Sequence, residues 1–414
     1  MKILCFGSCN IDLVYAVSHI IQPGETMSAN ALNSFPGGKG LNQSIALARA
    51  GAQVAFAGCI GQDGQMLYDT MDSCGIDLRY LRQVKEKTGH AIIQVDSNAE
   101  NSIIIFSGAN GMVTREHIDS VLQDFGQGDF LLVQNEISQL PYLTHSAARI
   151  GMQIVFNPSP FNKQAKQVDL QDIRYLIVNE TEAYGMTDSE DPNALHTYIK
   201  ENAPHLKIVM TLGKKGSIYF DKDQVIHQSA YCVESVDTTA AGDTYLGYFI
   251  AGICRGDACK TAMNYAAAAS AIAVSREGAA SSIPMRREVT EAFRVLQPYH
   301  TSAVSNQKKI ASAFFTNNYA DGTLSMLAKE LGYSTTYTGA WLKENMGASF
   351  TELLHKKRCE LCTMYLETTK LPISEIIHLI GYKNESFFRH KFMEEYGCTP
   401  LAYRKRKEKS YENS

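Results

Sequence analysis

Val236-Asp237-Thr238-Thr239-Ala240-Ala241-Gly242-Asp243-Thr244 reads as a loop of small residues running into a helix N-terminus, with an aspartate on the first turn. The first N–H groups of a helix lack intrahelical partners, and together with the helix dipole they favour a phosphate-like negative charge. A carboxylate beside such a site suits phosphoryl transfer. There a protein places two oxygens in line, neutralises charge on the moving group and supplies a base for the attacking hydroxyl. The same residues also read as an ordinary helix start capped by its aspartate. The stretches around them have to decide.

Working outward, residues 207–211, 175–178, 153–157, 129–134, 53–59 and 3–9 are short apolar strands separated by helical or irregular segments such as the helix expected at 63–74. Residues 91–96 and 102–107 read as a hairpin around Asn98. Strands alternating with helices predict a parallel α/β sheet whose ligands sit at the carboxyl ends of the strands. Asn10, Asp12, Glu136, Asn179, Glu182 and Thr211-Leu212-Gly213 all fall at such ends. Asn10 and Asp12 are two residues apart, on one face if the strand continues, which suits vicinal hydroxyls or simply a polar strand end. Phe35-Pro36-Gly37-Gly38-Lys39-Gly40-Leu41-Asn42-Gln43 sets three glycines before a helix, where backbone can approach a ligand closely. Its spacing differs from the Walker pattern, and with Asn10 and Asp12 it outlines a polyol pocket.

The 414 residues leave room for two or three domains, and 45% hydrophobic with 20% charged residues sets the chain among ordinary globular proteins. Ten scattered cysteines form no disulfide framework and argue for a reducing compartment. The Cys359-x-x-Cys362 pair, in a helical pattern, reads as buried small hydrophobes. Residues 1–7 read as a strand and not as a signal peptide, and no apolar run is long enough for a membrane span, so a cytoplasmic protein without membrane contact is expected. Residues 305–414 carry a net charge of +4 against −8 for residues 1–304. That sign change marks two domains with different partners, the basic one a candidate for nucleic acid or, more plainly, a solvated surface.

In order along the chain, Gly37 to Gln43, Asn179-Glu180-Thr181-Glu182, Thr211-Leu212-Gly213-Lys214-Lys215-Gly216 and Asp237 to Asp243 resemble the motifs of the ribokinase family of sugar kinases. The likeness extends to Pro23-Gly24-Glu25-Thr26 and Gly108-Ala109-Asn110, covers residues 1–298 and is nearest to ribokinases proper. It implies a three-layer α/β domain with a small β lid. It makes Asp243 the general base and the N–H groups of Ala240, Ala241, Gly242 and Asp243 the anion hole. Asn10, Asp12, Gly38, Lys39, Asn42 and Glu136 would line the pocket for D-ribose or a related pentose. Asn179, Thr211, Gly213 and Gly216 would border ATP, with Glu182 reaching Mg²⁺ through water. A K⁺ ion would lie among Asp237, Thr239, Ala273, Arg276, Gly278 and Ser282. The alanine run at 266–269 stands where ribokinases often carry an asparagine near the adenine. The lid, built from the hairpin and residues 11–18, would also form a homodimer interface.

After a helix at 288–296 and a polar linker at 299–306, residues 307–414 read as all-helical. Two helix, glycine turn, helix patterns, at 324–345 and 373–396, are joined by a long helix at 350–366. They resemble the AraC-type DNA-binding domain, the second unit through Ser386-Phe387-Phe388-Arg389 to Arg404. Phe388 and Phe392 should be core, leaving Lys383, Asn384, Ser386, Arg389 and His390 for double-stranded DNA or for a solvated face. Thr335-Thr336-Tyr337-Thr338-Gly339 is a poor helix sequence, so the first unit is expected to give phosphate or low-specificity contacts. Residues 404–407 add phosphate contacts or form a basic tail. Two functions follow from the pair of resemblances: an ATP-dependent ribose kinase that also binds DNA in response to sugar, or a non-catalytic regulator using the kinase fold as a sensor.

Overall fold

The structure, a computed structural model, describes residues 1–412 apart from 97, 99, 190, 191, 294 and 297–299, with backbone alone for 192, 193, 300–306 and 407–412. The chain divides into two compact units, residues 1–299 and 300–414.

The first unit opens with β1 (Ile3–Phe6), β2 (Asn10–Ala16), β3 (Ala31–Gly37), α1 (Lys39–Arg49), β4 (Val54–Ile60), α2 (Gln65–Ser73), β5 (Asp77–Gln83), β6 (Gly89–Val95) and β7 (Asn101–Phe106). It continues through α3 (Arg115–Leu122), β8 (Phe130–Gln134), α4 (Leu140–Arg149), β9 (Gln153–Asn157), β10 (Tyr175–Asn179), α5 (Glu180–Thr187), α6 (Pro192–Asn202) and β11 (Lys207–Thr211). It closes with β12 (Ser217–Phe220), β13 (Val225–Gln228), α7 (Ala241–Arg255), α8 (Cys259–Val274) and α9 (Arg286–Ala292). Nine strands form the main sheet in the order β13-β12-β11-β10-β9-β8-β1-β4-β5.

Its strands read as continuous apolar runs because both faces are covered. Ile3 and Cys5 of β1 enter one core with α1, α7 and α8, while Leu4 and Phe6 enter the other with α3, α4 and α6. The sheet is not wholly parallel, as the alternation of strands and helices predicts. β12 pairs antiparallel with β11, and β13 with β12, two four-residue strands too short to show in the hydrophobic pattern.

A second sheet, β3-β2-β6-β7, forms the lid. β3 and β5 escape a hydrophobic reading. The first is mostly exposed and carries Pro36 on a lid edge, where a missing N–H is tolerated, and the second holds Asp77, Arg79 and Arg82 at the edge of the main sheet. The expected hairpin is present as β6 and β7.

Small residues set the helix layer that matters for the site. A Cβ on Gly247 would stand 2.4 Å from the Ala46 Cβ and 2.9 Å from the Leu47 nitrogen, so its absence lets α7 settle on α1. A Cβ on Gly252 of α7 would stand 2.9 Å from the Ala262 Cβ of α8, in which Ala266 to Ala269 are also buried.

The second unit holds α10 (His300–Asn317), α11 (Leu324–Leu331), α12 (Thr335–Met346), α13 (Phe350–Thr368), α14 (Ile373–Leu379), α15 (Glu385–Tyr396) and α16 (Pro400–Glu412). The expected linker at 299–306 is helical from His300 onward, since the run after Pro298 contains no helix breaker; residue 299 lies outside the described residues. Residues 404–407 belong to α16 and not to a frayed tail. The weak propensity of α12 is overridden by the Ser334 cap and by burial of Thr338, Trp341 and Leu342 on its inner face.

The unit has two cores. One gathers Phe314, Phe315, Trp341, Leu342 and Leu354, the other Cys359, Cys362, Ile376, Ile377, Phe388 and Phe392. The two cysteines are core residues whose thiols burial pushes up to about 12. No described helix is long and apolar enough to cross a membrane.

Candidate active site and DNA-facing helices

α7 begins where Ala240 takes a left-handed conformation, φ 57°, uncommon for a residue other than glycine. The N–H of Thr244 donates to the Ala240 carbonyl at 2.8 Å, opening the helical ladder, and that of Ala241 donates to Thr238 at 3.3 Å. The N–H groups of Gly242 and Asp243 have no acceptor among the described residues, and Gly242 is exposed. Two donors and the positive end of a 15-residue helix therefore face outward at this turn.

The Asp243 side chain is 9% exposed and held through both oxygens. The Asn42 amide donates to Oδ2 at 3.2 Å and the Gln43 amide to Oδ1 at 2.8 Å. Gln43 is fixed in turn. Its Oε1 accepts from Gln134 at 2.7 Å, and its Nε2 also lies 3.2 Å from Asn157 Oδ1. Asn157 donates to the Ile177 carbonyl at 2.9 Å. A buried line of amides thus runs from the ends of two adjacent strands to one carboxylate.

Around this line stand the other expected residues. A Cβ on Gly38, φ 92°, would meet the Asn10 nitrogen at 2.9 Å, and one on Gly37 would strike the Asp12 carboxylate. The glycine loop therefore lies directly on β2. Asn10 accepts from the Asn110 amide at 2.7 Å. Glu136 accepts from the Ser8 hydroxyl and, at 3.4 Å, from the Lys39 N–H.

Burial, and then the charge of Glu136, raise Asp12 to about 7. Burial also raises Glu136, against the opposing pull of Lys39 and Ser8. Lys39 is disfavoured by burial, yet the carboxylates of Asp243, Glu136 and Glu182 outweigh that and hold its pKa above the usual value.

Asn179 and Glu182 form a reciprocal capping box on α5. Asn179 Oδ1 accepts from the Glu182 N–H at 2.9 Å, and Glu182 Oε2 accepts from the Asn179 N–H at 2.7 Å. Thr211 ends β11, and Gly213 and Gly216 both have positive φ in the turn beyond it. Asp237 spans two loops: Oδ1 accepts from the Thr239 N–H at 2.8 Å and Oδ2 from the Gly278 N–H at 3.0 Å. Burial opposes its charge, but these bonds hold its pKa below the ordinary value. Within the same loops, the Ala273 carbonyl accepts from the Arg276 N–H at 3.1 Å, the Arg276 side chain pairs with Glu288 at 2.5 Å, and the buried Ser282 hydroxyl donates to Ala279.

In the second unit, Asn384 caps α15, accepting from the Phe387 N–H at 2.9 Å. Lys383, Asn384, Ser386 and His390 are exposed and Arg389 is half-buried, all opposite the buried Phe388 and Phe392. Arg389 pairs with Glu385 at 3.2 Å and His390 with Glu394 at 3.2 Å.

The pfkB family carbohydrate kinase profile matches residues 1–286. The chain belongs to this family of carbohydrate kinases. A helix-turn-helix domain profile matches residues 327–406, in keeping with an AraC-type domain. The kinase is 36% identical to the ribokinase of Haemophilus influenzae, over 69% of this chain and 96% of that protein. It is 29% identical to the deoxyribokinase of Salmonella typhi, over 70% and 98% respectively.

Among solved structures, the ADP complex of ribokinase from Cryptococcus neoformans aligns with a TM-score of 0.62 at 35% identity, covering 70% of this chain and 99% of that one. The ribose and ATP complex of Arabidopsis thaliana ribokinase aligns at 0.62 and 28%, covering 70% and 97%. The protein is an ATP-dependent sugar kinase carrying a helix-turn-helix domain.

Sequence reasoning places Asn42 in the sugar pocket and leaves Gln43 without a role, yet both side chains bind the Asp243 carboxylate. It also passes over Ser8, Asn110 as the partner of Asn10, Gln134 and Asn157. A signal was present for Gln134, a polar residue closing the apolar strand Phe130–Gln134, and for Asn179-x-x-Glu182, a capping-box spacing. In the kinase, Gln43→Leu is expected to lower kcat by about 100-fold with the sugar KM little changed, because a misplaced base costs the transition state more than the bound sugar. Steady-state kinetics against sugar check this.

Proposed function

We propose that the N-terminal unit transfers the γ-phosphoryl group of ATP to the primary hydroxyl of D-ribose or a closely related pentose. We further propose that the C-terminal unit binds specific double-stranded DNA as a sugar-responsive regulator. The observation that carries the first part is Asp243, gripped at both oxygens and set beside two outward N–H donors. A carboxylate so fixed takes the proton of the attacking hydroxyl, while the N–H groups of Gly242 and Asp243, with Ala240 and Ala241 shaping the turn, receive the growing phosphate charge.

Asn10, Asp12 and Glu136 offer amide and carboxylate groups to sugar hydroxyls, beside Gly38, Lys39 and Asn42. Likeness to ribokinases, one of them bound to ribose and ATP, supports a pentose, and likeness to deoxyribokinases keeps 2-deoxyribose in the comparison. The Thr211, Gly213 and Gly216 turn and Asn179 would border the nucleotide. Glu182 keeps one oxygen outside its capping box, which fits a water-linked Mg²⁺. The carbonyl-rich loops drawn together by Asp237, at Thr239, Ala273, Arg276, Gly278 and Ser282, supply hard oxygen donors that fit K⁺, which would neutralise charge near the anion hole.

Asp243→Asn is expected to abolish ADP release from ATP with D-ribose while ribose binding by calorimetry persists. Equal turnover in the variant would overturn the assignment of the base. Asp12 titrates near 7, so ribose affinity is expected to rise with pH through that value as the carboxylate gains its second acceptor oxygen. Asp12→Asn should flatten the profile.

β7 exposes Ile103, Ile104, Ile105 and Phe106, an apolar edge that supports a homodimer through the lid. Because lid closure and dimerisation would share these strands, sugar would act on DNA affinity through the dimer. Ile104→Lys is expected to sediment as a monomer in analytical ultracentrifugation and to remove any effect of ribose on DNA affinity.

A further inference from the structure

The two helix-turn-helix units repeat each other position by position. α12 follows the cap Ser334 as α15 follows the cap Asn384, and Thr338 and Leu342 are buried where Phe388 and Phe392 are buried. The turn is one residue longer in the second unit, Gly381-Tyr382-Lys383-Asn384 against Gly332-Tyr333-Ser334. The outward faces therefore match as Thr335 with Glu385, Thr336 with Ser386, Gly339 with Arg389, Ala340 with His390 and Lys343 with Met393. At helical spacing each set spans one side of its helix.

Their chemistry differs, apart from the hydroxyls of Thr336 and Ser386. α15 offers a carboxylate, a guanidinium and an imidazole, groups that pair with hydrogen-bonding base edges. The first turns of α12 offer only two threonines, a glycine and an alanine. Thr335, Thr336 and Ala340 are exposed.

Gly339 is not demanded by packing or by backbone. It sits mid-helix without positive φ, and a Cβ there would meet only Leu324 Cδ2, at 4.0 Å. Glycine in a helix interior costs about 1 kcal/mol relative to alanine, so a bare backbone here serves close approach from outside. Lys343, exposed one turn further along the same face, supplies positive charge for a phosphate.

In the major groove, the thymine C5-methyl is the base-edge group that short apolar side chains such as Ala and the Thr methyl contact. We propose that α12 is a thymine reader: the methyl groups of Thr335, Thr336 and Ala340 pack on thymine methyls, with Gly339 letting the helix seat deeply. The DNA site is then chemically two-part, thymine-rich under α12 and read through hydrogen bonds under α15. This rests on the DNA-binding reading above, and it replaces the expectation of a low-specificity first unit.

The test starts with selection by the full chain from a randomised duplex library, followed by replacement of each selected thymine with deoxyuridine, which removes only the methyl. Deoxyuridine under α12 is expected to weaken binding about fourfold per methyl removed, and deoxyuridine under α15 to have no effect. Thr336→Ser keeps the hydroxyl and should cancel the penalty at one thymine. Gly339→Leu should lose the selected site while thermal stability does not fall. Arg389→Ala should relax base preference in the other half-site and leave the deoxyuridine penalty intact. Equal binding of thymine and deoxyuridine duplexes at every position, with sequence selection otherwise intact, overturns the proposal alone. Failure to bind or enrich any duplex overturns the DNA-binding reading and this inference with it.

Discussion

A negative charge placed at the buried start of a helix is the constraint on which the kinase unit depends. The Asp243 carboxylate has lost most of its water, and a buried charge is tolerated only where donors replace that water. Asn42 and Gln43 do so from a helix 200 residues earlier in the chain. For those amides to arrive, α1 and α7 must touch, which the missing side chain of Gly247 permits. For Gln43 to hold its rotamer, Gln134 and Asn157 must present their amides at the ends of adjacent parallel strands. Sheet register, helix packing and the orientation of one carboxylate are thus a single arrangement.

The glycine-loop side of the site shows the same economy of parts. Gly37 and Gly38 leave room for Asp12 and for the Asn10 backbone, so the loop between lid and core is pressed onto the first lid strand. Two carboxylates, Asp12 and Glu136, and one lysine share this small volume, and burial raises the proton affinity of both acids. Asp12, raised to about 7, is therefore poised to change charge near neutrality.

The α/β class and the strand-end position of the site were legible because glycine, small residues and lone acids stand out against apolar strands. Lys207–Thr211 and Gln153–Asn157 have the same bounds in sequence and structure. The amide line was not legible. The links that Gln43 makes to Gln134, Asn157 and Asp243 span 91, 114 and 200 residues, and no local spacing relates them. β3 and β5 were missed because edge strands need bury only part of one face, and β12 and β13 because four residues are too few to show a pattern. α12 reads as a helix although Thr335 to Gly339 are poor helix formers, and burial of Trp341 and Leu342 supplies what their propensity lacks. The motif residues themselves were recognisable through family likeness more than through any physical signature of their own.

The two cores of the C-terminal unit share one connecting element. Leu354 of α13 belongs to the first, and Cys359, Cys362 and Leu366 of the same helix belong to the second. α13 is 19 residues long, about 28 Å at the usual rise, against about 34 Å for one turn of duplex. It works as a ruler. A single inserted residue would not merely lengthen it by about 1.5 Å; it would turn one helix-turn-helix unit by about 100° relative to the other. The offset between the two helix-turn-helix units is therefore written into the length of a helix, where a flexible connection would have left it free to drift.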